Sequence, residues 1–548
     1  MEIIKLNLIP SGVNPTCHAK QYDKGRIIRF ELLNGLTPYT LQSGDTVTLN
    51  LRKPDNTIIE SSVTATEGNK YVDLVTTEQM CAVAGYNLGT FKIVNGETDI
   101  GTLNFIMAVE RDVLADGNPS QSVIKDLNTL VLEETQKVLA DYGLDRFPSD
   151  IYWIDNALYH KLHRNIEGID TDFDVSELKP ANEKTYYISP TGNDSNTGED
   201  ADHPLTKLST AIAKADVKTI ICADGIYNLG RVGGSFTKGV NIIAAEGAHP
   251  IFIMSRDKTW SKTDGYNYIY ETTDTASAFY GVIKANSRDA DGDLLGYTLV
   301  ASLADVESTE NSYYVSDHSI YIHSESAPQK VYVLVSGVNI HATLSDGETL
   351  YIEGCEFIGG NYGGVRVTNG GTKKPLVLLK NCGFSKSYLG NALYLQGCSG
   401  ILQDCYASRA SDDGFNYHAT NNVVPDTIEI RCIGRHNGTV GNNTNNGSTT
   451  HDGAKIIRLN CEYYDNIGPN LADVNNSRSF NYGVVSHDSN GSSTNKSGFQ
   501  CQGGIMWNDT CAAYNNDYNF QAYLGGELRQ KNCSGSINLG ENGKVIAY

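Results

Sequence analysis

A cysteine returns through the C-terminal part of the chain at an interval of about 20 to 30 positions. The positions are Cys355, Cys382, Cys405, Cys432 and Cys461, then, after a gap of about two intervals, Cys511 and Cys533. Each opens a phrase of the same grammar, as in "NCGFSKSYLGNALYL", "DCYASRASDDGFNYH" and "NCEYYDNIGPNLADV". The phrase runs from Cys through a polar turn to an Asn or Asp, and an alternating apolar strand follows. Self-similarity at this period marks a solenoid whose coils bury their faces only against neighbouring coils. Strand-forming coils make it a parallel β-helix, with coils stacked about 4.8 Å apart. One cysteine per coil then forms an interior column, where a small apolar thiol packs well without oxidation. No Cys-x-x-Cys pair occurs, so no metal or cofactor is expected.

The chain has 548 residues, 43 Lys plus Arg against 64 Asp plus Glu, and a formal net charge of −21. That length suggests more than one domain, although a solenoid can use several hundred residues as one body. Such acidity repels phosphate backbones and anionic lipid, which argues against nucleic acid and membrane surfaces as partners. Neutral or cationic glycans, or other proteins, fit better. The opening "MEIIKLNLIPSG" lacks a basic region followed by an apolar stretch, so no secretory signal is expected. No apolar run approaches about 18 residues, so membrane insertion is not expected either.

Three regions are expected. Residues 1–112 read as a β-sandwich. "DTVTLNL" puts Val47, Leu49 and Leu51 on one face, "KPDNT" is a turn, and Asn95-Gly96 signals a hairpin before the alternating Leu103, Phe105, Met107 and Val109. Residues 113–184 form a linker. Within it the stretch from Pro119 to Tyr142 predicts a helix, with Ile124, Leu127, Val131 and Val138 at buried spacing. Further leucines off that stripe fit either a trimeric bundle or docking on the helix's own domain. Residues 185–548 make the β-helix, opened by a short capping helix carrying Leu208, Ile212 and Ala215. Its repeat is interrupted at 251–345 by a tyrosine-rich antiparallel insert.

Aligning the coils on their cysteines brings Asn391, Asp413, Asp452, Asn470 and Asp517 into one column before the strand. A ladder of Asn and Asp at a turn is commonly structural. Two coils add ionisable groups, Asp412 beside Asp413 and His451 beside Asp452, and these four are the candidate catalytic residues. Like charges on adjacent coils push one carboxyl up and leave the other ionised, the division that glycoside hydrolysis needs. His418, His436 and Asp473, with Tyr417, Tyr463 and Tyr464, are the candidate ligand-binding side chains beside them; each tyrosine equally suits a place in the core. In "RDADGDLLGY" the alternating Asp289, Asp291 and Asp293 hint at calcium. Leu294 and Val300 stand where an EF-hand needs Gly and Glu, so an exposed hairpin turn is the better reading.

Three stretches carry resemblances. "YYISPTGNDSNTGEDADHPLTKLSTAI" is similar to the entry segment of right-handed parallel β-helix proteins of the pectin-lyase-like superfamily. Residues 1–112, with "KPDNT" and "GTLNFIMAV", resemble the N-terminal domain of the baseplate upper protein family of phages infecting Gram-positive bacteria. "DDGFNYH" and the coils after it look like phage tail-spike β-helices. Together these imply a homotrimeric virion protein, anchored to other baseplate or tail proteins through residues 1–112 and attaching to host cell-wall polysaccharide through the β-helix. A tail-spike depolymerase on the same scaffold and a purely architectural connector are the alternatives. Asp412-Asp413 resembles the paired Asp of β-helix polygalacturonases, but the Gly-His-Gly element of that family has no counterpart here.

Overall fold

The structure is a computed structural model. It describes residues 3–9, 13–64, 68–95, 98–111, 162–165, 168–171, 173–181, 183–274, 279–361, 364–438, 445–490 and 496–547. The chain divides into two compact units, taken in turn. The helix expected between Pro119 and Tyr142 lies outside the described residues.

The N-terminal unit is a two-sheet sandwich. Ile3–Asn7, Ile27–Asn34, Thr37–Pro38 and Tyr71–Val75 form one sheet; Thr16–Lys20, Thr46–Arg52, Ile58–Val63, Gly85–Asn95, Thr98–Gly101 and Phe105–Glu110 form the other. Period-2 alternation decides which side chains meet: Val47, Leu49, Leu51, Phe105, Met107 and Val109 are all buried. Phe30 of the first sheet packs on Phe91 and Phe105 of the second, with ring centroids 5.1 and 4.6 Å apart. In "KPDNT", Asn56 takes φ 63° and returns the chain so that Arg52 pairs with Ile58.

The second unit is a right-handed parallel β-helix with three sheets of twelve, nine and ten strands. The first sheet starts at Thr185–Ile188, the second at Gly225–Tyr227 and the third at Gly234–Phe236. Leu208–Ala213 is the helix expected at the start of the solenoid, and its buried Leu208, Ala211 and Ile212 join the first coils, whereas Ala215 lies beyond its end and is exposed. The corner between the first and second sheets explains the recurring phrase. The residue before each cysteine is left-handed: Gly354, Asn381, Asp404, Arg431, Asn460, Thr510 and Asn532 have φ between 50° and 70°. Gly, Asn and Asp reach that conformation at least cost, and the corner then turns the following cysteine inward. The sulfurs are unpaired and form the expected interior column. The interval before Cys511 holds a single coil, in which Val484 occupies the cysteine's place between Gly483 and Val485.

Cys533 is the partly exposed member of this column, and a hydrogen bond with Cys511 holds its thiol below the ordinary value. Burial pushes Cys405, Cys432 and Cys461 well up. A thiol reagent is therefore expected to modify Cys533 first in the folded chain and the others on unfolding, read by mass spectrometry. Labelling of Cys432 ahead of Cys533 would contradict the column.

The antiparallel insert is narrower than 251–345. Pro250–Ile253 and Ile340–Leu344 pair within the second and third solenoid sheets, so the insert's own strands run from Ser255 to Val335. Apolar alternation does not reveal whether a strand pairs with its hairpin neighbour or with the next coil. Before the solenoid, Phe173 and Val175 lie on an apolar cluster that includes Tyr351, Leu378 and Ile401 of the first sheet. Lys380 grips Asp174 at 2.7 Å, and the Gln403 side chain receives the Val175 amide and donates to the Phe173 carbonyl.

Candidate functional site

The third sheet carries the candidates Tyr417 and His418 on Phe415–His418, with Asp412 and Asp413 before that strand and His451 and Asp452 after Ser448–Thr450; the preceding strands Val365–Asn369 and Leu393–Gln396 add Arg366, Tyr394 and Gln396, which the sequence reading missed. Its register stacks Arg366 on Tyr394 and Thr368 on Gln396 and His418. Alternation turns these side chains outward, while Val367, Leu395 and Phe415 fill the core. Arg366 donates from Nε and Nη2 to Gln396 Oε1 at 2.9 and 2.7 Å, and Gln396 donates to the Tyr394 hydroxyl at 3.0 Å. His418 meets Tyr394 edge-on and stacks on His451 with centroids 3.8 Å apart. Its Nδ1 lies 3.1 Å from Asp452 Oδ2.

Burial, then the neighbouring His418, pushes the His451 imidazole down to about 4, so it is neutral near pH 7. Its Nε2 is buried and has no hydrogen-bond partner among the described residues. Asp412 lies on the same wall, bonded by the Asn445 side chain, and burial raises its carboxyl. Asp413 is buried in the preceding turn. Its Oδ1 accepts from the Asn446 amide at 2.8 Å and its Oδ2 from the Asn416 side chain. Burial first, and then the charge of Asp412, pushes Asp413 up to about 7.

The expected column is corrected at Asp452. Asn391, Asp413 and Asn446 make the ladder, the Asp413 amide bonding Asn391 Oδ1 at 3.1 Å. Asp452 follows the strand instead, at its opposite end, with φ 58°. The sequence between Cys432 and Ser448 is longer than that between Cys405 and Phe415, so the spacing from the cysteine does not locate the strand start in this coil. Asn470 belongs to a second asparagine ladder with Asn437 and Asn466.

Three expected wall residues are interior. Tyr417, Tyr463 and Asp473 are fully buried. Tyr417 lies two positions after the inward Phe415, and Asp473 two after the inward Leu471, so both share the core parity. They belong to a buried polar network centred on Glu429 and Arg458, which the sequence reading missed. Glu429 accepts from Tyr417 at 2.7 Å, from Ser448 at 2.8 Å and from Tyr463. Arg458 donates to Asp473 at 3.0 Å, Thr450 at 2.9 Å and Asn481 at 3.2 Å. The signal was available in the register: Glu429 and Arg458 fall in the column of Ile352, Leu379 and Leu402.

His436 and Tyr464 lie on the second sheet's wall, apart from the Asp412 cluster. His436 sits between Asp291 at 2.9 Å and Asp465 at 3.0 Å. Tyr464 stacks on His487, and His487 on Tyr514, at 5.0 and 4.9 Å. The turn at 289–293 is not free, as an exposed hairpin would be. Its carboxylates dock the insert on this wall, Asp289 against Arg409 at 2.8 Å and buried Asp293 against Arg435 at 2.8 Å. Among the described residues no group of three or more His, Cys, Asp or Glu is placed to hold a metal ion. No helix among them is long and apolar enough to cross a membrane.

No protein-family model matches the chain, and no curated protein matches it. Solved structures similar to it include the pectate lyase Pel9A, at 16% identity over 66% of this chain and 78% of that one, with a TM-score of 0.33. The N-terminal domain of phage TP901-1 ORF48 is matched at 18% identity over 20% of this chain and 99% of that one, with a TM-score of 0.17. The Gp54 tailspike of Acinetobacter baumannii bacteriophage AP22, solved with a capsular saccharide, is matched at 10% identity over 62% and 67%, with a TM-score of 0.22.

Proposed function

We propose that this chain is a virion tail or baseplate protein that attaches to host surface polysaccharide along the third-sheet wall. The supporting observation is the row of Arg366, Gln396, Tyr394, His418 and Asp452, which sets planar donors, ring edges and a carboxylate side by side on consecutive coils. Sugars are held by aromatic surface flanked by a few directed polar groups, and the coil spacing repeats that pattern along an extended polymer. Anchoring through residues 1–112 and a homotrimeric state belong to this reading and rest on the resemblance of those residues. Tyr394→Ala and Arg366→Ala are expected to weaken binding to purified cell-wall polysaccharide by about tenfold or more, a loss of about 1.4 kcal/mol. Undiminished binding in both variants removes the wall from the reading.

A depolymerase is the second reading, favoured by the carboxyls of Asp412 and Asp413. Glycoside hydrolysis needs one carboxyl still protonated near neutral pH beside one that is ionised. Asp413, at about 7, meets the first need, and Asp412 beside it reaches the wall. Asp412→Asn is expected to abolish reducing-end release while leaving polysaccharide binding. An absence of release from the parent chain leaves attachment alone.

A further inference from the structure

The insert and the second sheet border an open cleft of about 500 Å³, lined among others by His249, Arg288, Asp404, Tyr406, Arg431 and Arg435. Three guanidiniums meet there from three elements. Arg288 ends the insert strand Phe279–Arg288, Arg431 forms the corner before Cys432, and Arg435 closes the second-sheet strand Ile433–Arg435. Arg288 is fixed by Glu356, its Nη2 2.7 Å from Oε2. Arg431 uses Nε and Nη2 on Asp404, at 2.6 and 2.8 Å. Arg435 gives only Nη2, to the Asp291 carbonyl and to Asp293, both at 2.8 Å. Among the described residues no hydrogen bond uses Nη1 of Arg431 or Arg435. Arg435 is 5% exposed, and its buried Nε has no partner. A guanidinium carries five donors, and folded proteins rarely leave a buried charged donor unmatched.

We infer that this cleft is a subsite for an oxyanion borne by a sugar, a carboxylate or a phosphate ester, within the glycan of the proposed attachment function, on which the inference rests. Forked guanidinium donors match the planar, paired oxygens of such groups. Asp404 and Asp291 supply acceptors for ring hydroxyls beside them, and the volume lies in the range of small-ligand sites. Arg435 also belongs to a column of one side chain per coil, which continues from it through Tyr464, His487 and Tyr514. A polymer leaving the cleft would run along that aromatic ladder. The net charge of −21 is an average over the whole chain; here each guanidinium already faces a carboxylate, Glu356, Asp404 or Asp293, so a ligand oxyanion would take the donors that those pairs leave open.

The test titrates the full chain by calorimetry with trigalacturonate, a glycerol-phosphate oligomer and a neutral maltooligosaccharide of similar length. One or both anionic probes are expected to bind at least tenfold more tightly than the neutral one, and the preferred one identifies the oxyanion. Arg431→Gln is expected to lower that affinity at least tenfold. Ile433→Trp, which fills the cleft without replacing an arginine, is expected to abolish it and serves if Arg431→Gln does not fold. Failure of both anionic probes at millimolar concentration, or binding unchanged in the folded variants, overturns the subsite. If the probes fail while Tyr394→Ala still costs polysaccharide binding, the attachment reading stands without the cleft. If an anionic probe binds through Arg431 but cell-wall polysaccharide is not bound, the subsite stands and that reading falls.

Discussion

Arg458→Ala is expected to cost the solenoid about 3–5 kcal/mol, the range for removing one partner of a buried ion pair. Arg458, Asp473 and Glu429 are all fully buried. Without the guanidinium, Asp473 keeps a buried charge with no cation, and Thr450 and Asn481 lose their donor. Glu429 fares better, since Tyr417, Ser448 and Tyr463 still donate to it. The measurement is the shift in urea midpoint at constant slope. Replacing both charges, as in Arg458→Met with Asp473→Leu, is expected to recover much of the loss. The cycle of single and double variants should return a coupling above about 1 kcal/mol. A single-variant cost below about 1 kcal/mol would mean that water reaches the network.

Acidification from about pH 5 to about pH 2 is expected to loosen the insert from the second wall. Glu356 sits at that junction, 1% exposed. Burial alone would raise its carboxyl, but hydrogen bonds from His249, Arg288 and Tyr406 outweigh it and hold the group down to about 2, from an ordinary 4.5. A carboxyl depressed in the folded state contributes stability above its unfolded value. That contribution is fully present above about 4.5 and is lost as the pH falls through about 2. The difference corresponds to about 3 kcal/mol. Hydrogen exchange in Phe279–Arg288 and Tyr406–Ser408 reads the loosening. Glu356→Gln keeps the shape and removes the titration, so its stability should change less than the parent's across that window. Equal slopes in parent and variant would place the acid sensitivity at other carboxylates.

The N-terminal strands were legible because alternation is local: each of Val47, Leu49 and Leu51 reports its face through its immediate neighbours. The solenoid was legible for the same reason at a longer period, since coil after coil turns one corner with a left-handed residue and, in all but the Val484 coil from Cys355 to Cys533, an inward cysteine. Asp452 was misplaced because the polar sequence between His436 and Ser448 carries no alternation from which register can be counted. Tyr417 and Asp473 obey the core parity of Phe415 and Leu471, and a polar side chain at such a position looks from the sequence like a surface one.

The amino-acid order by itself therefore determined the β-helix, the thiol column and the sandwich before it, since hydrophobic period and corner geometry act over a few residues. Only the tertiary structure decided which charges meet. Asp293 finds Arg435 from 142 positions away, and Glu429 falls beside Arg458 only once adjacent coils are in register. Charge compensation between Asp293 and Arg435 acts through space and leaves no trace in local sequence, whereas Glu429 and Arg458 share one place in the repeat, three residues before Cys432 and Cys461.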